Sequence, residues 1–347
     1  MKLVRGLHNL VTAAHRQADG RPWLCGAEDE HAADPRGAQG RTAAGPSGGG
    51  CVLTVGNYDG VHLGHQHMLR VLIERAAELR CESTVLVFEP SSKEFIDPAG
   101  APPRLTRWRE KFLALAAQGV DRIVTLRFDD EIRAMSPQCF VDELIVGALG
   151  ARHVVVGDDF RYGTRAQGTI DSLRAAAGKS RGFGVEQVAP FVFDGVRVSS
   201  TAVRERLGRG DCAGAARLLG RRYRMMGRVV YGNALGRTLG FPTANLRLMR
   251  RKAPLWGILA VRVYGIESVP LNGVASLGTR PTVNGVEPLL EVHVFDFGGD
   301  LYGRAIEVEF IAKLRDEVKF DSLDQMTVQM QADAAQARDL LSKVDCG

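Results

Sequence analysis

The pattern of apolar and polar positions changes near residue 200, which indicates two kinds of structure in one chain. In the first half, short apolar runs alternate with stretches whose apolar residues have helical spacing. The predicted strands are Cys51–Val55, Thr84–Phe88, Arg122–Leu126 and His153–Val156. The predicted helices are Gly64–Leu79, Arg107–Gln118 and Pro137–Gly147. Strands separated by helices of this length indicate βαβ units, so we predict an α/β domain with a doubly wound parallel sheet.

In the second half, apolar runs are separated by turn-rich segments instead of helices. The predicted strands are Arg222–Val230, Gly257–Val263, Gly273–Leu277, Leu289–Phe295 and Ile306–Ile311. Such a succession is typical of an antiparallel β-barrel, with a sandwich as the alternative. A terminal helix is predicted over Ser322–Leu341, because apolar residues recur there at spacings of three and four and give it one face to pack.

These patterns divide the chain into an N-terminal domain over residues 1–198, a linker region over 199–221 and a C-terminal domain over 222–347. The segment Val11–Gly50 is rich in Ala, Gly and Arg and has no sustained apolar period. A segment of this composition buries too little apolar surface to offset the entropy of ordering it. We therefore predict a disordered insertion at residues 11–50 and assign it no function.

Composition narrows the class of protein. The chain has 347 residues, 45% of them hydrophobic and 24% charged, which is ordinary for a globular protein. No apolar run approaches the ~18–20 residues that cross a bilayer, so no membrane is expected as a partner. The six cysteines are scattered without a CxxC pair, which argues against a zinc cluster and favours a reducing cytoplasm.

Positive charge is concentrated in one segment of the second half. Between Arg221 and Arg280 there are eleven Arg or Lys and a single acidic residue, Glu267. A basic surface attracts phosphates, whether they belong to nucleotides or to nucleic acid, and charge alone does not choose between them. A barrel that binds nucleic acid is therefore one alternative, although the segment lacks interleaved aromatic residues for stacking bases.

A first motif, Gly56-Asn-Tyr-Asp-Gly-Val-His62-Leu-Gly64-His65, lies between a predicted strand and a predicted helix. Its glycines let the backbone approach a ligand, and the start of the helix offers N–H groups to an anion. The two histidines can donate hydrogen bonds where charge develops on a phosphate. Two histidines at this spacing are by themselves more often core residues or an incidental metal site, but this location favours the phosphate interpretation.

Two further motifs could complete a phosphate site. Asp159 lies in Val-Gly-Asp-Asp159-Phe-Arg-Tyr-Gly, directly after a predicted strand, where open α/β sheets bind ligands. By itself Asp159 could equally cap a turn. In Arg197-Val-Ser-Ser200-Thr201-Ala-Val-Arg204, Ser200 or Thr201 can cap a helix, and the two arginines flank the cap as anion ligands.

These three motifs together resemble the adenylyltransferase module of the bifunctional riboflavin kinase/FAD synthetase family, a nucleotidyltransferase of the HxGH class. The resemblance implies that His62 and His65 stabilise the α-phosphate of ATP while the phosphate of FMN attacks it and pyrophosphate leaves. It also implies a set of nucleotide- and phosphate-binding residues, namely Gly56, Gly64, Asp159, Arg197, Ser200, Thr201 and Arg204.

The second half contains a longer Gly-rich motif, Gly232-Asn-Ala-Leu-Gly236-Arg237-Thr-Leu-Gly240-Phe-Pro-Thr243-Ala-Asn245. Such a loop can cover phosphates, and its last oxygen-bearing side chains suit a hard cation. Glu291 stands in the apolar run Leu-Glu-Val-His-Val-Phe, where a carboxylate is costly unless it is paired or functional. An outward-facing strand position is the equally weighted alternative for Glu291.

These residues resemble the riboflavin kinase module of the same family. The resemblance implies Thr243 and Asn245 at the Mg²⁺ bound to ATP, and Glu291 as the base for the ribityl hydroxyl of riboflavin. The phosphate-binding residues that it implies are Gly232, Gly236, Arg237 and Gly240.

The combined prediction is a cytoplasmic enzyme that phosphorylates riboflavin to FMN and adenylylates FMN to FAD, using ATP with Mg²⁺. The expected partners are ATP, riboflavin and FMN, with neither nucleic acid nor a membrane, and the oligomeric state is left open. Phe88-Glu-Pro-Ser-Ser-Lys lacks the His-Pro pair that often follows Phe-Glu-Pro in the family. A protein with kinase activity alone, whose adenylylation site is impaired by the insertion or by this altered loop, therefore remains an alternative.

Overall fold

The computed structural model describes residues 1–6, 50–178, 182–232, 240–282 and 285–345. The predicted insertion, apart from Gly50, and the candidate site residues Gly236 and Arg237 lie outside these ranges. The chain forms two compact units, and loops from the N-terminal half belong to the second of them. The first unit comprises Met1–Tyr58, His65–Ala101 and Phe112–Phe191, and the second comprises Asp59–Gly64, Pro102–Lys111 and Val192–Gly347.

The first unit is built on a six-stranded parallel sheet, which confirms the predicted α/β class. Its strands are β1 (Lys2–Arg5), β2 (Cys51–Val55), β3 (Glu82–Phe88), β4 (Arg122–Leu126), β5 (Ala151–Gly157) and β6 (Gly184–Val188). The strand order is β1-β4-β3-β2-β5-β6, and every neighbouring pair is parallel. The chain leaves β2 toward β3 and returns on its other side as β5. The carboxyl ends of β2 and β5 therefore flank a topological switch point, where such sheets bind ligands.

Helices cover this sheet and close its core. They are α1 (Leu63–Leu79), α2 (Ser92–Ile96), α3 (Trp108–Ala116), α4 (Asp130–Ala134), α5 (Pro137–Cys139) and α6 (Ile170–Gly178). The helix predicted over Pro137–Gly147 is α5 followed by a π-helical segment, Phe140–Ala148. Leu144 and Ile145 of that segment pack on Leu53 and Val154 of the central strands, and all four side chains are fully or almost fully buried.

The second unit contains a closed antiparallel barrel, so the sandwich alternative is wrong. Its strands are β9 (Arg224–Val230), β10 (Ala244–Arg247), β11 (Gly257–Tyr264), β12 (Leu271–Thr282), β13 (Gly285–Val294) and β14 (Ala305–Arg315). The order around the barrel is β10-β13-β12-β11-β14-β9. Two helices, α7 (Ser200–Gly208) and α8 (Cys212–Leu219), precede β9, and a short hairpin of β7 (Val192–Phe193) and β8 (Val196–Arg197) precedes them.

The terminal helix α9 (Leu323–Asp345) packs on the outside of the barrel, as its apolar stripe predicts. Ala337 and Leu341 are fully buried against Ala260, Phe295 and Ile311. The first half of this apolar face has a second role, because Met326 and Met330 line a cavity in the second unit. In the parts of the chain that the structure describes, no helix is long and apolar enough to cross a membrane.

Candidate active sites

Asn245 and Glu291 face each other on adjacent barrel strands of the second unit. The register of the antiparallel pair β10–β13 places Asn245 directly opposite Glu291, and β12 places Ser276 on the other side of Glu291. Asn245 is buried and Glu291 is half-buried. Thr243 lies two residues before Asn245, so the structure brings the three predicted kinase residues together.

A cavity of about 700 Å³ opens beside these residues, a size that suits a small-molecule ligand. Its lining combines polar side chains from the strands with apolar side chains from α9 and from the loop that precedes it. The main polar groups are Thr243, Asn245, Ser276, Glu291 and Arg315, and the main apolar groups are Val318, Phe320, Met326 and Met330.

The alternation of β13 explains how Glu291 is placed. Leu290 and Val292 are fully buried in the barrel, whereas Leu289, Glu291 and His293 line the cavity. Because side chains alternate along a strand, Glu291 points away from the barrel core. An outward-facing position on β13 is therefore also a position that lines the cavity, because the outer face of this strand forms one of its walls.

Gly232 leaves room for the side chain of Asn245. A Cβ atom at residue 232 would collide with the amide group of Asn245, with both the Nδ2 and Oδ1 atoms in its way. Gly240 has a positive φ of 78° and no atom near the position of a Cβ, so its need for glycine is conformational. Of the predicted Gly-rich loop, only Gly232 thus has a described contact with a candidate metal ligand.

An ion pair at the cavity wall was missed by sequence reasoning. Arg315 of β14 donates from Nε to Oδ1 of Asp333 at 2.9 Å and from Nη2 to Oδ2 at 2.6 Å. Asp333, on α9, is only 4% exposed and also accepts from Gln329 Nε2 at 3.0 Å. The apolar face of α9 predicted packing, but the only hint of a buried partner was an Asp between two apolar positions of that face, Met330 and Ala334.

His293 is a second cavity residue without a sequence prediction. Its Nδ1 lies 2.9 Å from the carbonyl oxygen of Pro242, next to Thr243, and its ring makes edge contacts with Phe241 and Phe295. His293 therefore connects β13 to the segment that leads into β10. The alternation Glu291, His293 was the signal that could have identified it.

In the first unit, Gly56 and His65 lie at the carboxyl end of β2. Gly56 follows the last residue of β2, and its N–H donates to the carbonyl of Leu86 at 3.2 Å. His65 lies in the first turn of α1, with its ring centroid 4.9 Å from that of Tyr58. Tyr58 is 1% exposed, and its hydroxyl is 2.7 Å from Oγ1 of Thr54. A buried tyrosine therefore supports the ring of His65.

Asp159 follows β5, the strand next to β2. It is exposed, and Phe160 closes the turn with a hydrogen bond from its N–H to the carbonyl of Gly157 at 3.3 Å. Since β2 and β5 are parallel neighbours, the segments after them leave the same edge of the sheet. Gly56 and Asp159 are thus both at the topological switch point.

His62 belongs to the second unit and directly precedes α1. It is 6% exposed. Burial lowers the pKa of His62 to about 4, with the positive charges of Arg204 and Arg221 acting in the same direction and Asp59 opposing them. The imidazole is therefore neutral at pH 7 and has one N–H to donate. A Cβ at Gly64 would press on the His62 ring and on the carbonyl of Val198, so Gly64 fits this close packing.

The residues of the Arg197–Arg204 motif divide into two groups. Arg197 and Thr201 are exposed near the start of α7. Ser200 donates to the carbonyl of Asp59 at 2.8 Å, and Arg204 pairs with the Asp59 carboxylate at 2.5 Å. The prediction that Ser200 or Thr201 caps this helix is wrong, because Ser199 is the N-cap and accepts from the N–H of Ala202.

Comparisons with known proteins identify the family of each half of the chain. The FAD synthetase family matches residues 46–202, and the riboflavin kinase family matches residues 219–341. The bifunctional riboflavin kinase/FMN adenylyltransferase of Haemophilus influenzae is 45% identical over 289 residues, covering 83% of this chain and 94% of that protein. The Pseudomonas fluorescens protein of the same name is 44% identical over 341 residues, covering 98% of each chain. The chain belongs to this bifunctional family.

A solved structure supports the fold along most of the chain. It is the crystal structure of a Streptococcus pneumoniae protein described as a macrolide-efflux protein, with a TM-score of 0.70 and 31% identity. The likeness covers 84% of this chain and 94% of that chain. The efflux description concerns that protein alone. Because both families match here, a two-step enzyme of flavin biosynthesis is favoured over the kinase-only and nucleic-acid-binding alternatives.

Proposed function

We propose that the cavity of the second unit binds riboflavin and ATP and converts riboflavin to FMN, which the same protein then adenylylates to FAD. The observation that carries the kinase assignment is the placement of Asn245 opposite Glu291 at the wall of a cavity of about 700 Å³. The apolar groups of its lining suit a flavin ring, and the polar groups suit phosphates.

Glu291 has the role of general base in this proposal. Its carboxylate accepts the proton of the ribityl 5′-hydroxyl as that oxygen attacks the γ-phosphorus of ATP. The bond from the γ-phosphorus to the β,γ-bridging oxygen breaks, and ADP leaves. Phosphoryl transfer depends mainly on positioning and charge neutralisation, so a base held on a rigid strand supplies the orientation that the reaction needs.

The residues around Asn245 fit a hard cation that arrives with ATP. Thr243 and Asn245 supply neutral oxygen atoms, and the absence of a side chain at Gly232 leaves space around the Asn245 amide. Mg²⁺ keeps much of its coordination for phosphates and water, so few protein ligands suffice. Thr243 and Asn245 would hold Mg²⁺, which would neutralise phosphate charge. Gly232, Gly236, Arg237 and Gly240 are proposed to surround the phosphates, with Gly236 and Arg237 outside the described residues.

For the second step, His62 and His65 are proposed to donate hydrogen bonds to the α-phosphate of ATP. An FMN phosphate oxygen attacks the α-phosphorus, and the bond to the departing pyrophosphate breaks. Donors aimed at the developing negative charge lower the barrier of such a step. Gly56 and Gly64 would let the backbone come close to the nucleotide, and Asp159 would help to orient it. Arg197 and Thr201, which are exposed near the start of α7, are proposed to contact phosphates. Ser200 and Arg204 contribute by holding the loop before His62.

The direct test is the product made from riboflavin and Mg·ATP, followed by chromatography over time. FMN should form first and FAD later, with pyrophosphate released in equal amount to FAD. Supplied FMN should yield FAD without a lag, and a chelator should stop both steps. Accumulation of FMN without FAD would contradict the second activity. We propose the cytoplasm as the location and small molecules as the substrates, without nucleic acid or membrane.

A further inference from the structure

The backbone just before His62 has a strained conformation. Gly60 has a φ of 85° and Val61 has a φ of 40°. A β-branched residue in this region is a genuine outlier. Such a conformation persists only where the surroundings determine it strongly, and it is common where a protein must fix a functional group. Two sets of hydrogen bonds hold this loop, Asp59–Val61.

One set of contacts comes from α7 and from the segment Pro102–Lys111, which belongs to the same compact unit. The Asp59 carboxylate accepts from the N–H groups of Leu105 at 3.0 Å and Thr106 at 2.8 Å, and from Arg204. The N–H of Gly60 donates to Oγ1 of Thr106 at 3.0 Å. These bonds fix Asp59 and the N–H side of the loop.

The carbonyl side of the loop is held by Arg221, which lies between α8 and β9. Its Nη2 donates to the carbonyl of Gly60 at 2.7 Å, and its Nη1 donates to the carbonyl of Val61 at 3.0 Å. Nη1 also lies 3.3 Å from the carbonyl of Leu219, which fixes the guanidinium relative to α8. A planar guanidinium donates to the two adjacent carbonyls from separate nitrogens in a fixed geometry, whereas an ammonium group offers its donors from one nitrogen on a flexible stem.

Arg221 falls within the segment that matches the riboflavin kinase family, residues 219–341, whereas Gly60 and Val61 fall within the FAD synthetase match. The loop's other support is also fixed to the barrel. Arg250, which is buried, donates to the carbonyl of Arg104 at 2.7 Å and pairs with Glu110. The kinase part of the chain therefore braces a loop of the adenylyltransferase part.

We propose that Arg221 is a positioning residue for adenylyl transfer, holding the carbonyls of Gly60 and Val61 so that the imidazole of His62 meets the reacting phosphate. The inference rests on the proposed role of His62. Arg221 has no place in phosphorylation of riboflavin, so its effect should be confined to FAD formation. A small displacement of a catalytic group lowers a rate by up to about 10²-fold, which sets the size of the effect.

The test compares Arg221→Gln, Arg221→Lys and the control Arg304→Gln in the full-length protein. Arg304 is also exposed, and its Nη2 donates to two adjacent carbonyls, those of Gly265 and Ile266. The control therefore removes the same kind of contact from a loop far along the chain from His62. Retained FMN formation from riboflavin and an unchanged melting temperature report that each variant is folded.

For Arg221→Gln we expect the kcat of FAD formation from supplied FMN to fall by roughly 10–10²-fold, with the KM values for FMN and ATP nearly unchanged. Arg221→Lys should recover part of the loss, and Arg304→Gln should match the wild type. In a His62→Ala background, Arg221→Gln should lose most of its effect, because residues that act through one group are not additive.

Two results would overturn the inference. One is a wild-type kcat for FAD formation in folded Arg221→Gln, and the other is an undiminished effect of Arg221→Gln when His62 is already alanine. If Arg221→Gln is unstable, Arg221→Lys and its double variant with His62→Ala decide the question in the same way. Failure of His62→Ala itself to lower FAD formation would instead contradict the proposed function, so the two failures are distinguishable.

Discussion

Asn245 and Glu291 stand opposite each other in the ladder between β10 and β13. The pairing places an amide oxygen suited to a cation beside a carboxylate suited to accept a proton. Hydrogen bonds of a closed barrel fix this pair, so its geometry does not depend on a loop. A shift of one residue in the register would turn Glu291 into the barrel interior.

The first prediction concerns Glu291. Glu291→Gln keeps the volume and one acceptor oxygen but removes the ability to take a proton. FMN formation should fall by roughly 10²–10⁴-fold in kcat, with riboflavin binding largely kept. Steady-state kinetics and a riboflavin binding titration measure the two quantities, and adenylylation of supplied FMN should continue.

A matched control for this variant is Glu307→Gln, on β14 of the same barrel. Glu307 is half-buried and pairs with Arg224 at 3.0 Å, outside the lining of the cavity. The control should phosphorylate riboflavin at close to the wild-type rate. Near wild-type phosphorylation by folded Glu291→Gln would refute the role of base.

The second prediction tests the space around Asn245. In Gly232→Ala, the added methyl group collides with the Asn245 amide and displaces it. We expect the KM for Mg·ATP in the kinase reaction to rise by about 10-fold or more, while FAD formation is unaffected. Gly298→Ala is the control, because nothing lies near the position of its Cβ. Equal kinetics for the two alanine variants would show that the amide position is unimportant.

The third prediction concerns the pair of Arg315 and Asp333. Asp333→Asn removes the charge that holds Arg315 at the cavity wall and leaves the guanidinium with a weaker partner. The apolar groups of the lining, which suit a flavin, adjoin this pair, so the KM for riboflavin should rise by about 10-fold with a smaller change in kcat. Steady-state kinetics with varied riboflavin and saturating Mg·ATP measure the KM for riboflavin and the kcat separately.

Asp296→Asn provides the comparison for Asp333→Asn. Asp296 also pairs with an arginine of α9, Arg338, at 2.8 and 3.0 Å, but this pair is exposed and lies outside the cavity. An exposed ion pair contributes little to stability, because solvent screens it. Asp296→Asn should therefore leave the kinetics unchanged, and a similar KM increase in both variants would point to a general loosening of α9.

Much of the fold could be predicted because hydrophobic periodicity is strong where elements are buried. Cys51–Val55 and Arg122–Leu126 were predicted to the residue, since both are central strands with almost continuous apolar runs. β10 was not predicted, although it carries Asn245. Only four residues long, it follows a Gly-rich segment whose turn signals hide it, and pairing with β13 and β9 makes it a strand.

Site residues could be predicted where they belong to a local sequence motif. They could not be predicted where their role depends on a contact with a residue far away in the sequence. Thr243, Asn245 and Glu291 meet at one cavity, as the resemblance implies. Asp333 and Arg221 were missed, because their partners are remote in sequence or are backbone carbonyls. A periodic pattern carries information about burial, but none about which carboxylate faces which arginine.

The fourth prediction separates the two activities. His62→Ala and His65→Ala each remove a donor aimed at the α-phosphate, so FAD formation should fall by roughly 10²–10³-fold. FMN formation from riboflavin should persist in both variants, which one assay of both products measures. Loss of both products in a folded variant would contradict separate sites, and full FAD formation would contradict the role of the histidine.

The last prediction concerns stability at acid pH. The pKa of His62 is lowered from 6.5 to about 4, mainly by burial. Between these values the unfolded chain binds a proton that the folded chain refuses, so stability is complete above pH 6.5 and falls as the pH drops toward 4. With about 1.4 kcal/mol per pKa unit, the loss from His62 is about 2 kcal/mol by pH 5.

His62→Gln removes this titration and keeps a polar side chain of similar length. The melting temperature of the variant should therefore decrease less between pH 7.5 and pH 5 than that of the wild type, even if the variant is less stable at pH 7.5. His67→Gln is the control, since His67 lies on α1, the helix that directly follows His62, and is half-buried beside Phe191. Its melting temperature should follow the wild type across the same range. Equal acid sensitivity in wild type and His62→Gln would mean that His62 is protonated as readily in the folded protein as in the unfolded chain.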